Sequence, residues 1–233
     1  MKTKVIVLCV FGWLLLLPTA YANDIYIQQS GDDLDLDITQ DGQNNVAGTS
    51  TTAIALTGDT MTFNIDQVGD SNVVSAVING STYTGNIDLT GDSNTVDLTC
   101  DSNGSNCETV SMSIDVTGDS ADVTVSIGSS GDSQNYVGTL DVTSSNTETI
   151  TLTVNAANAD SDIDISNSAL GSSTGNTANY TQSGDGDTNG HSLTHSHTGE
   201  GGLIDITQSG IYDNIVNLTT SGDNADIDIT QSD

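Results

Sequence analysis

Positive charge is nearly absent from this chain of 233 residues, in which two Lys+Arg stand against 32 Asp+Glu. Both cations, Lys2 and Lys4, lie at the extreme N-terminus, and beyond Pro18 there is no Pro, Trp, Lys or Arg. Without cationic side chains nothing can release counterions from a polyanion, which excludes a nucleic-acid binder that tracks phosphates. The same lack argues against enzymes that hold an anion or a developing charge with Arg or Lys. Aromatics are scarce too: past residue 22 they are Tyr26, Phe63, Tyr83, Tyr136, Tyr180 and Tyr212. So thin an apolar supply cannot fill a thick core, and the fold has to be narrow. Low hydrophobicity with high net charge is also the composition of disorder. Here, however, Pro, Lys and Glu are replaced by Ile, Val, Thr, Ser, Asn and Gly, which form strands and turns.

What is present begins with a leader. Lys2 and Lys4 precede an apolar run from Val5 to Leu17, then Pro18 and the small-residue ending Ala20-Tyr21-Ala22. This reads as a secretory signal peptide over 1–22, too short and wrongly flanked to span a membrane. It leaves 23–233 as a single exported repeat domain and moves the net charge from −30 to −32. Cys9 departs with the leader. Cys100 and Cys107 remain, an even pair in an exported chain, and a disulfide between them would staple a turn and contribute about 2–3 kcal/mol.

A short pattern recurs along the domain: Ile38-Thr39-Gln40-Asp41-Gly42, Ile65-Asp66-Gln67-Val68-Gly69, Tyr180-Thr181-Gln182-Ser183-Gly184, Ile206-Thr207-Gln208-Ser209-Gly210 and Ile229-Thr230-Gln231. A sister pattern, Leu89-Thr90-Gly91-Asp92, Val116-Thr117-Gly118-Asp119 and Thr220-Ser221-Gly222-Asp223, fills the gaps. Equating Ile38, Ile65, Leu89, Val116, Val142 and Ile165 gives a coil of about 25 residues with two strands and two turns. The turn glycines are then Gly42, Gly69, Gly91, Gly118, Gly184, Gly210 and Gly222, expected to supply positive φ. Strict alternation, as in Asp33-Leu34-Asp35-Leu36-Asp37-Ile38 and Asp226-Ile227-Asp228-Ile229, puts Ile, Leu and Gln on one face and Asp and Thr on the other. One such unit cannot bury its apolar face alone, but a stack can. The expected fold is all-β, a β-solenoid of about eight strand-turn-strand coils, about 40 Å long at ~4.8 Å per strand. The alternative is a β-sandwich.

Gln40-Asp41-Gly42-Gln43-Asn44-Asn45-Val46-Ala47 resembles the curlin repeat, Gln-x-Gly-x-x-Asn-x-Ala, of secreted curli fibre subunits. Gln67-Val68-Gly69-Asp70-Ser71-Asn72-Val73-Val74 matches it with Val for Ala, and Gln208-Ser209-Gly210 has its Asn one place late, at Asn214. The resemblance implies a strand-loop-strand coil with internal carboxamide ladders, self-assembly into extracellular amyloid-like fibres serving adhesion or a biofilm matrix, a nucleating partner subunit, and export through an outer-membrane pore. Gln40, Asn45, Gln67, Asn72, Gln182, Gln208 and Gln231 are the inward ladder residues on this reading, which agrees with each Gln standing two residues after an inward apolar one. Good copies cover few coils and the middle of the chain uses the Gly-Asp variant, so a divergent, minor or nucleating subunit is expected.

Other features point elsewhere. Asp185, Asp187 and Asn189 form the D-x-D-x-N-G start of a calcium loop, but Ser196 stands where the bidentate Glu is required. All three histidines, His191, His195 and His197, follow it. His195 and His197 would share a strand face and suit Zn or Cu, although an exposed loop titrating near pH 6.5 is the simpler reading. No nucleophile elbow or Cys-His arrangement stands out, and no enzyme activity is expected. Outward Asp rows ~5 Å apart would repel by somewhat under ~1 kcal/mol per pair, so solvent cations, Ca²⁺ included, are expected to govern stacking. No bound cofactor is expected. Outward threonines such as Thr147, Thr149, Thr151 and Thr153 suggest a rival function, a cell-surface binding module for glycan or ice, whose mark would be Thr ladders in register through many coils.

Overall fold

The computed structural model describes residues 23–100, 107–128, 133–167, 177–183, 191–199, 202–210, 214–223 and 225–232, with the backbone alone at 133–134 and 157–167. The expected leader lies outside these residues. Every described element is a strand. In chain order they are β1 (Asn23–Ile25), β2 (Gln28–Ser30), β3 (Asp35–Asp41), β4 (Asn45–Ala47), β5 (Ile54–Thr57), β6 (Met61–Val68), β7 (Ser71–Asn79), β8 (Thr82–Cys100), β9 (Thr109–Ile127), β10 (Ser133–Asn167), β11 (Thr177–Ser183), β12 (Ser192–Thr198), β13 (Gly202–Ser209), β14 (Ile215–Ser221) and β15 (Ala225–Ser232).

The pairings between these strands are all parallel, which is the pattern of a stacked coil and not of a sandwich. One ladder can be followed along a single inward position through Ile25, Ala47, Val74, Val96, Val123, Ile150, Ala178, Ile204 and Ile227, each the register partner of the next. Those nine rungs are joined by eight turns of chain, so the solenoid and its approximate coil number are both as expected. The facing ladder runs through Ile38, Ile65, Ile87, Ile114 and Leu140. Further along the chain, the last third of β10 pairs through Ile163 with His195, which pairs with Leu218.

One alignment drawn from the sequence is corrected. Ile65 stands over Ile87, while Leu89 stands over Gln67. The expected equivalence of Ile65 with Leu89 is slipped by two residues. A slip of two leaves every side chain on its own face, so the hydrophobic pattern alone cannot detect it.

The core is the seam between the two ladders. Along β8, Tyr83, Gly85, Ile87 and Leu89 are buried; past Gly91 the phase flips, and Asn94, Val96, Leu98 and Cys100 are buried instead. β9 flips in the same way after Gly118. Each long strand is therefore both sides of one coil with a corner between them. Its ladder hydrogen bonds run along the rod axis, across the chain direction, so the chain bends without losing them. Burying an Ile, Leu or Val contributes about 1.5–3 kcal/mol. In a stack each such side chain is covered by neighbours above and below, which an isolated coil lacks.

Coil length varies from 22 residues between Asn23 and Asn45 to 32 between Asp160 and Ser192. The variation is accommodated outside the ladders. Gly48–Ala53 is an excursion closed by a Thr49–Thr52 bridge, and Cys100 and Cys107 form the expected disulfide, Cα atoms 6.1 Å apart, at the mouth of the 101–106 segment.

Candidate assembly site: the carboxamide ladders and the end rungs

The carboxamides gather at corners of the coil. Gln40 and Gln67 close β3 and β6, Asn45 and Asn72 open β4 and β7, and all four are buried. Gln67 Nε2 donates to Gln40 Oε1 at 2.6 Å, Asn45 Nδ2 to Asn72 Oδ1 at 3.2 Å, and Asn72 Nδ2 to Asn94 Oδ1 at 2.9 Å. Gln67 also reaches Val73 O at 3.3 Å, and Asn72 reaches Thr90 O at 2.9 Å. Each amide thus bonds along the rod to its counterpart and locally to the backbone of the corner, which is what makes burial of so many polar groups affordable.

A second ladder stands on the other side of the coil. Gln208 Nε2 donates to Gln182 Oε1 at 2.6 Å and Gln231 Nε2 to Gln208 Oε1 at 2.8 Å. Gln182 and Gln208 are buried. Gln231, expected inward with them, keeps the ladder bond but is exposed, because no described rung lies over β15. Two ladder members were missed by the sequence reading. Asn94 is buried and takes the place above Asn72, and Asn23 donates to Asn45 Oδ1 at 3.3 Å. The signal for Asn94 was available: Gly91-Asp92-Ser93-Asn94 keeps the Gly-x-x-Asn spacing of Gly69-Asp70-Ser71-Asn72. It was masked because Leu89 replaces the preceding Gln. That replacement ends the first Gln ladder and leaves Gln67 Oε1 buried without a partner.

The glycines divide into two kinds. Gly42, Gly210 and Gly222 have φ of 145°, 149° and 144°, as expected of turn glycines. Gly69, Gly91 and Gly118 are not among the positive-φ residues, and Gly91 and Gly118 lie inside β8 and β9. They are needed for close approach. A Cβ on Gly91 would stand 1.8 Å from Gly69 O and 2.7 Å from Asn72 Nδ2, and one on Gly118 would stand 1.8 Å from Gly91 O. Glycine is required there so that the corner carbonyls and the Asn amides can pack rung on rung. Gly184 lies outside the described residues.

The histidines correct a second expectation. His191, His195 and His197 are buried, at 0%, 0% and 4% exposure, and do not form a solvent-exposed loop. β12 alternates inward at Leu193, His195 and His197. Tyr180 packs its ring centroid 5.2 Å from that of His195, which lies 6.1 Å from that of His197. Burial holds the His197 imidazole below its ordinary pKa, against an opposing pull from Glu148. Burial also pushes the Tyr180 phenol well above its usual range, with Glu148 adding to the effect. Among the described residues no three His, Cys, Asp or Glu side chains converge as a metal site. The calcium-loop candidates Asp185, Asp187 and Asn189 lie outside the described residues.

On the outside, register turns the alternation into rows. Asp66, Asp88, Asp115 and Asp141 are successive partners on one face. Partial burial, then Asp141, then Asp88 hold the Asp115 carboxyl above its usual pKa. On the opposite face Thr99, Ser126, Thr153, Thr181, Thr207 and Thr230 form one hydroxyl row through six rungs. The row beside it, Asp97, Thr124, Thr151, Asn179, Asp205 and Asp228, is mixed.

The two ends of the first ladder carry the same side chains. Gln29 leads by register through Leu56, Ile78, Cys100, Ile127, Val154, Gln182 and Gln208 to Gln231. Ile25 leads to Ile227 in the same way, and Ile27 and Ile229 stand between them. The first rung, Ile25-x-Ile27-x-Gln29, therefore matches the last, Ile227-x-Ile229-x-Gln231, position for position. Ile227 and Ile229 are 37% and 46% exposed.

Such an arrangement defines a repeat protein whose first and last described rungs are chemically alike. No family model, no curated protein and no solved structure matches the chain. Among the described residues no helix is long and apolar enough to cross a membrane.

Proposed function

We propose that this chain is an exported structural subunit whose copies join end to end into curli-like extracellular fibres. The observation that carries the reading is the matched pair of end rungs. Stacking the first rung of one copy on the last rung of another would place Ile25 over Ile227, Ile27 over Ile229 and Gln29 over Gln231, continuing the sequence of contacts that β13 already makes with β15. Gln231 Oε1, which accepts no hydrogen bond among the described residues, would receive the amide of Gln29, as Gln208 Oε1 receives that of Gln231. Exposed, unpaired strand edges bearing apolar residues are templates for association. The signal-like leader and the curlin-like corners support export to the cell surface and a fibre in adhesion or a biofilm matrix, in which this chain is a minor or nucleating subunit. Cations from solvent, Ca²⁺ among them, screen the Asp rows during stacking.

Incubating the purified chain across salt and pH and imaging it by electron microscopy tests the proposal. Fibres are expected for the parent and not for Ile229→Lys, whose exposed position leaves the monomer folded. A parent that stays monomeric under every condition, or an I229K chain that polymerises equally well, overturns it.

A second reading has its own observation, the hydroxyl row from Thr99 to Thr230. Such a row suits a glycan or an ice surface. Replacing Thr153, Thr181 and Thr207 with Lys would abolish surface binding on that reading and leave fibre growth unchanged on the first.

A further inference from the structure

All of the chain's histidines lie in one place and face inward. His191, His195 and His197 are buried along one edge of the coil, where they interrupt a seam built mainly of apolar and carboxamide side chains. On the flanking rungs His195 is in register with Ile163 and Leu218, and His197 with Ile165 and Thr220. Across the seam β11 contributes Ala178, Tyr180 and Gln182, and β13 contributes Ile204, Ile206 and Gln208. Among the described residues a charged group facing them is Glu148 of β10, 1% exposed, which accepts a 2.5 Å hydrogen bond from Ser144 Oγ. Glu148 and His197 line a small cleft of about 10 Å³, enough for one water at most. The ring nitrogens of His191 and His197 are buried without hydrogen-bond partners among the described residues. His191 is moreover held at φ 58°, a left-handed conformation that a bulky side chain rarely adopts.

A neutral imidazole can be tolerated in such a seam, whereas an imidazolium cannot unless it is paired. Among the described residues the carboxylate acting on His197 is that of Glu148, already engaged by Ser144. The geometry points to an acid-labile rung: β12 is a built-in pH-sensitive latch, and protonation of its inward histidines opens the C-terminal coils, β11 to β15, while the coils formed by β6 to β9 stay closed. The sign follows from linkage. A buried histidine whose folded form resists protonation contributes stability that is present above the unfolded pKa, about 6.5, and is lost as pH falls below it. Each such ring then raises the opening equilibrium by up to about tenfold per pH unit below 6.5. General acid titration of the Asp rows works the other way, by relieving repulsion along the whole rod, so the latch is marked by a difference between coils and not by overall stability. The inference concerns the isolated rod and does not depend on fibre assembly.

Amide hydrogen exchange of the dilute monomer from pH 7.5 to 5, corrected for intrinsic rates, tests it. Protection in β13 and β14 is expected to fall by tenfold or more per pH unit below 6.5, while β9 keeps its protection. In His195→Leu/His197→Leu, whose new side chains match Ile163 and Leu218, most of that fall is expected to vanish. If that variant fails to fold, the comparison of β13 with β9 in the parent, with the ring titrations read by NMR, still decides. Parallel loss of protection in β9 and β13, or histidines that titrate at the value of an exposed imidazole, overturns the proposal, as does a folded double variant with the parent's pH dependence.

Discussion

Removing one rung of the Asn ladder tests whether the carboxamides stabilise the rod or merely fit it. Asn72 is fully buried and donates to Asn94 Oδ1 and Thr90 O, both at 2.9 Å, while accepting from Asn45 at 3.2 Å. In Asn72→Ala, Asn45 keeps its 2.8 Å bond to Val68 O and Thr90 O keeps the Gly69 amide. Asn94 Oδ1 loses its ladder donor and is stranded, at about 1–3 kcal/mol. The net loss of the remaining bonds and the small cavity add to this, for a total of about 2–4 kcal/mol. The control is Asn86→Ala. Asn86 makes an equally short Asn–Asn bond, 2.9 Å to Asn64 Oδ1, on the outer face, where water replaces the lost partner. Its cost should be within about 0.5 kcal/mol of zero. Urea unfolding at constant slope reads both: with a slope of about 2 kcal/mol/M, N72A should lower the midpoint by about 1–2 M and N86A should barely move it. Equal midpoints for the two variants would refute the argument that burial gives these amides their value.

Three further outcomes follow from the same geometry. Gly91→Ala should destabilise the rod by about 3 kcal/mol or more, since its Cβ would meet a backbone oxygen that cannot rotate away; thermal melting against the parent checks this. Asp115→Asn should raise the melting temperature at neutral pH but not at pH 3: the Asp115 carboxyl has a raised folded pKa, so stability present below its unfolded pKa is lost as pH rises through the folded one. Replacing Cys100 and Cys107 together with Ala should cost about 2–3 kcal/mol on the chain-entropy estimate for a short loop, measured by denaturation of both forms without reductant.

The solenoid was legible because alternation and Gly spacing recur along the chain and Gln, in the coils that carry it, falls on the face they predict. Ile, Gln and Asp were each assigned to the correct face from Asp35 to Asp41. The two-residue slip between Ile65 and Leu89 was not legible, because face assignment is blind to it; only the inter-rung hydrogen bonds fix which apolar residue stands over which. Gly91 and Gly118 were located correctly and explained wrongly. Sequence shows that a side chain is absent but not whether torsion or crowding forbids it. The histidines were misplaced because a His-Ser-His alternation flanked by Thr and Gly reads as polar surface. The same period of two that placed the isoleucines inward would also have placed Leu193, His195 and His197 there.

That every described strand runs parallel to its neighbours has a consequence for anything built from this rod. Turned end for end it cannot continue its own ladder: one tip offers the acceptor of Gln231, the other the backbone and side chains of the Asn23 rung. A filament of such units would be vectorial, with unlike tips and unlike extension rates, and a cap specific for one tip would halt growth there while the other continued.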